Sequence, residues 1–220
     1  MARMPSAERR RQLTEAAIRA MTRDGVPNTT TRSIAAEAGV SLSVFHYCFE
    51  SKEALLESVI EAITEHYIAV VRQALRPRGT LRETIRAGFQ AYWDHVCARP
   101  GEHMLTYELT QYALRRPGLG HLARRQYEMY SATFRELIEE LRAATGFVPR
   151  VPVEQLARYL AAMTDGLTLN FLVLGDAAAA ADLLDTITDH VVGLVDEGPG
   201  AGAAGAGAAG AEGVGSARCR

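Results

Sequence analysis

The chain reads as all-α, and three observations carry that reading. Apolar residues recur at i, i+3 and i+4 through nearly every segment, with no convincing period-2 stretch. Glycine and proline gather at a few points, namely Asp24-Gly25, Pro77-Arg78-Gly79, Pro100-Gly101, Pro117-Gly118 and Gly146 to Pro152, as helix stops would. Ser, Thr and Asp stand just upstream of apolar stripes, where helix N-caps belong. With 220 residues and a hydrophobic fraction of 48%, one or two domains with real cores are expected. The spacing predicts about nine helices. Residues 1–52 form a small N-terminal domain, a helix over 52–75 leads out of it, 76–197 form a second domain, and 198–220 form a tail.

In order along the chain, Ser6 is expected to cap a first helix with Leu13, Ala17, Ala20 and Met21 facing inward, ending near Asp24-Gly25. Thr30 and Ser41 are placed to cap two short helices. Ser51 caps the fourth, which carries Leu55, Val59, Ile63 and Tyr67 at i,i+4 spacing. The next stripe is Leu81, Ile85, Phe89, Tyr92 and Val96. A helix over 102–115 follows, then a long one over 119–144 with Leu122, Tyr130, Phe134, Leu137, Ile138 and Leu141 inward. Residues 153–174 are apolar on more than one face. Asp176 caps a last helix, 177–196, whose stripe is Leu183, Leu184, Ile187, Val191, Leu194 and Val195. The Gly/Ala-rich end has too little apolar mass to order itself and is expected to be a passive, disordered extension.

Charge is unevenly spread. Net charge is −2, but residues 1–52 hold eight Lys/Arg against five Asp/Glu, and the rest hold sixteen against twenty-one. A small basic module on an acidic body suits local phosphate contact. Of 24 basic residues only Lys52 is lysine. It opens the fourth helix, where a point charge beside free N–H groups could meet a phosphate; chance placement is the plain alternative. Three cysteines and six histidines show no metal spacing. No Gly-rich phosphate loop or nucleophile elbow is present, so an enzyme, a metal site and a cofactor are not expected. The polar, arginine-rich start and the lack of a long apolar run point to a cytoplasmic protein with no membrane association.

The segment TTTRSIAAEAGVSLSVFHYCFESKEALL, residues 29–56, is the most informative. Ile34, Ala35, Gly39, Val40, Phe45 and Cys48 hold the spacing of two short, steeply crossed helices, a helix-turn-helix. Its second helix can be laid in a DNA major groove. Residues 9–57 as a whole resemble the DNA-binding head of the TetR family of bacterial transcription regulators, down to Phe49-x-Ser51-Lys52-Glu53-x-Leu55-Leu56. Residues 80–196 resemble the family's helical regulatory body in length and helix count, and Tyr107-Glu108-Leu109, Pro117-Gly118-Leu119 and Asp165-Gly166-Leu167 look like one branch of such bodies.

The resemblance implies a homodimer on a palindromic double-stranded operator, released by a small-molecule effector. Position by position, it implies that Thr30 and Thr31 touch phosphate, Arg32 lies at the groove edge, Ser41, Leu42 and Ser43 face bases, and Tyr47 and Lys52 grip the backbone. His46 lies beside them as a solvent or backbone contact. Leu42, Ser43, His46 and Cys48 depart from the usual pattern, which leaves the operator sequence open. For the effector, an apolar or aromatic pocket is expected from Phe89, Tyr92, Trp93, Met104, Tyr107, Tyr130 and Phe134, with Glu108, Gln111, Asp165 and Asn170 as polar members. The apolar faces of 153–196 are expected to pair two subunits, with Leu184 and Val191 offered as interface positions. The alternative is an architectural or protein-binding helical module without an effector.

Overall fold

The computed structural model describes residues 5–198, and among them nine helices and one two-residue strand pair form. The helices are α1 Ser6–Asp24, α2 Thr31–Glu37, α3 Leu42–Cys48, α4 Lys52–Ala74, α5 Leu81–Ala98, α6 Pro100–Arg115, α7 Gly120–Thr145, α8 Val153–Leu174 and α9 Ala177–Gly193. Thr30 caps α2 in a reciprocal box with Ser33, Thr80 caps α5 with Glu83, and Asp176 caps α9 through the Ala179 N–H. Pro100 opens α6, two residues earlier than the sequence suggests, because a proline loses nothing at a first helical position. Ser6 is not the cap of α1; Pro5 holds that place without a side-chain bond.

Two compact units result. One comprises the described residues up to His66 together with Gly101–Glu128; the other comprises Tyr67–Pro100 and the described residues from Met129 on. Chain order and spatial grouping therefore differ: α6 and the start of α7 group with the first three helices. In the first unit Leu13, Ile34, Phe45, Phe49, Leu55 and Leu105 are fully buried. Gly39 turns the chain between α2 and α3 at φ +66°, with open space where a Cβ would stand. Conformation rather than crowding asks for glycine there.

In the second unit α5 packs along α9, and Trp93, Val96, Leu156, Leu160 and Leu184 lie at its centre. Strands β1 (Val148–Pro149) and β2 (Val195–Asp196) pair antiparallel. Helical periodicity gives no sign of them and extends the last helix to 196; α9 stops at Gly193 because Val195–Asp196 turns to pair with Val148–Pro149. Leu183, counted in the inward stripe, is 47% exposed, whereas Leu184 and Val191, offered as interface positions, are buried in the protomer's own core. The Gly/Ala tail lies outside the described residues.

Candidate DNA-binding surface and ligand cavity

The exposed face of the head follows from what α3 must bury. Phe45 and Cys48 point inward, three residues apart, so Ser43, His46 and Tyr47 are left outward. Tyr47 is 68% exposed, far more than a tyrosine used for packing would be. Ser41 and Ser43 share a hydroxyl–hydroxyl bond of 2.8 Å, and Leu42 between them is half-buried. On α2, Arg32 is exposed and Thr31 half-buried, while the Thr30 hydroxyl is engaged with Ser33. Thr30, Thr31, Arg32, Ser41, Leu42, Ser43, His46 and Tyr47 thus lie on the adjoining short helices α2 and α3 and their N-caps.

Lys52 is placed differently. Its ammonium donates to the carbonyls of Val26 at 3.0 Å and Thr29 at 2.6 Å, with the Tyr112 ring 5.6 Å away. Burial holds its pKa below the usual lysine value, and Arg116, which covers the same Tyr112 ring at 4.7 Å, adds to that. Nearby Glu53 opposes the shift. The lone lysine thus ties the α1–α2 loop to the first turn of α4.

Three further hooks were not legible in the sequence. The Arg10 guanidinium donates to the Cys48 carbonyl at 2.9 Å and lies over the Phe49 ring, so it holds the end of α3. Gln12 donates to the Ala38 carbonyl at 2.9 Å. Glu108 of α6 accepts from the Val26 N–H at 2.9 Å. Each acceptor or donor on the far side is backbone, which leaves no mark in side-chain identity.

The second unit holds a cavity of about 80 Å³. Its wall brings together Phe89, Tyr92 and Phe134 of the expected set, with Tyr67, Val71 and Leu160 among the others. The Tyr92 hydroxyl bonds Thr168 at 2.7 Å, and burial pushes its pKa well above the ordinary tyrosine value. Trp93 sits in the core beside this wall, edge-on to Phe171 with ring centres 4.8 Å apart. Tyr130, Asp165 and Asn170 do not line the cavity, and Asn170 is exposed. Met104, Tyr107, Glu108 and Gln111 all lie on α6, in the other unit. Among the described residues no group of His, Cys, Asp or Glu could hold a metal ion.

Comparison with known proteins gives a consistent picture. Residues 13–59 match the family described as bacterial regulatory proteins, tetR family, and residues 77–196 match the BetI-type transcriptional repressor C-terminal domain. The nicotine-responsive transcriptional repressor HdnoR of Paenarthrobacter nicotinovorans is 26% identical over 187 residues, 85% of this chain and 95% of that protein. The transcriptional regulator BetI of Paraburkholderia phymatum is 30% identical over 190 residues, 83% of this chain and 91% of that one. A solved TetR-family member from Streptomyces coelicolor superposes with a TM-score of 0.62 at 25% identity, covering 84% of this chain and 98% of that one.

Proposed function

The chain belongs to the TetR family of bacterial regulators, with a BetI-type repressor C-terminal domain, and from that premise we propose how its parts work. It is a DNA-binding, ligand-responsive transcriptional repressor. The observation that carries the DNA assignment is α3 itself, which buries Phe45 and Cys48 and presents Ser43, His46 and Tyr47. Ser41, Leu42 and Ser43 read base edges; Leu42 offers an apolar contact to a thymine methyl. Thr30, Thr31, Arg32, His46 and Tyr47 position the head on phosphates. Lys52 acts through the α1–α2 loop that it holds, rather than on the backbone of the DNA.

A second copy of the chain completes the DNA-binding form. Leu169, Val173 and Leu174 on α8 and Leu183 on α9 are exposed apolar side chains, and their burial against the same face of a partner gives an isologous interface. The effector is a small apolar or aromatic molecule. It binds against Phe89, Tyr92 and Phe134. Helix α4 is the lever, since Lys52 stands in its first turn and Tyr67, Ile68 and Val71 of the cavity wall in its last turns. Glu108 adds a second hold on the α1–α2 turn. The protein works in the cytoplasm, where its DNA is; among the described residues no helix is long and apolar enough to cross a membrane.

Selection from a random DNA pool tests this reading. A palindrome with half-sites ~34–36 Å apart should emerge. Recovery of DNA with no shared sequence would overturn it and leave an architectural role.

A further inference from the structure

The cavity says more about its ligand than that it is apolar. Among the described residues that line it, none carries a charge. Its polar groups are three hydroxyl side chains. Thr164 donates to its own helix at the Leu160 carbonyl, Tyr92 is paired with Thr168, and Tyr67 is almost wholly buried with its ring edge-on to Tyr92. A cavity lined this way stays dry, so a hydrocarbon entering it displaces no well-held water. A charged group would be stripped of water with no counter-charge to meet it, which is costly.

A route in is marked as well. A surface recess of about 280 Å³, flanked by Arg72, Arg76, Pro77 and Glu140, shares three residues with the cavity, Leu75, Leu137 and Leu141. Leu137 and Leu141 are buried on α7, whereas Leu75 lies just past the end of α4 and is half-buried. Its side chain sits against Gly88, where a Cβ would come within 2.6 Å of the leucine Cδ2. Leu75 is thus a thin wall seated in a notch that only glycine leaves open.

We propose that this cavity binds a neutral, hydrocarbon-like molecule, admitted past Leu75. The inference rests on the effector reading above and sharpens it to a charge. The test uses the full chain, with toluene as the neutral probe and cyclohexylammonium and pentanoate as charged probes of the same size. Calorimetry should show saturable toluene binding with a negative heat-capacity change. Each charged probe should bind at least about a hundredfold more weakly. No saturable binding of either toluene or the smaller cyclopropane up to solubility, or a charged probe within about threefold of toluene, would overturn the proposal. For the route, Leu75→Ala should speed toluene association about tenfold, as removal of a gate does. Gly88→Ala, which must displace Leu75 from its notch, should change that rate too. Rates equal to wild type in both variants overturn the admission route. DNA release is measured separately. Toluene that binds as described but leaves operator affinity unchanged supports this inference and sinks the effector reading.

Discussion

In the unit that carries the recognition helix, long polar side chains reach across to backbone atoms. Arg10 holds Cys48, Gln12 holds Ala38, Lys52 holds Val26 and Thr29, and Glu108 holds Val26. In the unit that carries the cavity, Arg150 reaches across to the Gly193 carbonyl at 3.2 Å and a buried hydroxyl pair, Tyr92–Thr168, joins α5 to α8. Its ion pairs, Arg82–Asp189, Arg86–Asp185 and Arg72–Glu140, lie at the surface. Hydrocarbon does most of the joining there. Directional bonds fix one arrangement, which suits a surface that must match a DNA groove. Apolar packing is less particular about geometry and tolerates rearrangement at modest cost, which suits a site that must accept a guest.

The hardest test of that contrast lies in two adjacent leucines of α9. Leu184→Arg puts an unpaired charge into the body's core and should cost more than about 4 kcal/mol, read by urea denaturation. Leu183→Arg should leave the protomer folded but monomeric in sedimentation, because Leu183 is exposed. If both variants unfold, the outer face belongs to the protomer's own core and the proposed interface is elsewhere. Next in size is Lys52→Met. Losing a charged donor from two carbonyls should cost the head about 2 kcal/mol of stability. The salt dependence of DNA binding should hold steady. A fall of about two ions per dimer, with stability untouched, would restore Lys52 to the phosphates and remove one hook from the contrast.

How far these features could be read from sequence follows from how local they are. The helix-turn-helix was legible because its spacings, caps and turn glycine lie within 28 residues and act on near neighbours. The task of Lys52 was not, because its partners are carbonyls more than 20 residues away, and every residue has a carbonyl. Leu183 and Leu184 both fall within a broad apolar stripe, so periodicity could not tell the buried one from the exposed one. β2 is only two residues long and continues the pattern of α9. Phe89, Tyr92 and Phe134 share the cavity wall because aromatic stripes on packed helices converge. Met104, Tyr107, Glu108 and Gln111 were grouped with them because chain order puts α6 in the body, while its packing groups it with the head.

Smaller effects sharpen the same comparison. Tyr47→Phe should change stability by less than about 0.5 kcal/mol, since the side chain is exposed. It should weaken operator binding by about 1 kcal/mol on all sequences alike, as loss of one phosphate bond would. A titration of folding supplies the weakest test. Arg23 and Arg19 hold the Glu37 carboxyl below its ordinary 4.5 through charged hydrogen bonds linking α1 to α2. A depressed acid stabilises the fold above its unfolded value and stops doing so as pH falls through its folded one. Wild type and Glu37→Gln should therefore differ in melting temperature at neutral pH and converge in acid well below 4.5. Equal melting at every pH would show those ion pairs to be idle.

The cavity also sets how the protein answers to compression. A void among side chains is volume that the unfolded chain, filled in by water, does not keep. Hydrostatic pressure therefore works against the cavity-bearing unit. A guest that occupies the void removes that weakness, so the pressure needed to unfold the body becomes a gauge of how well a candidate effector fills it.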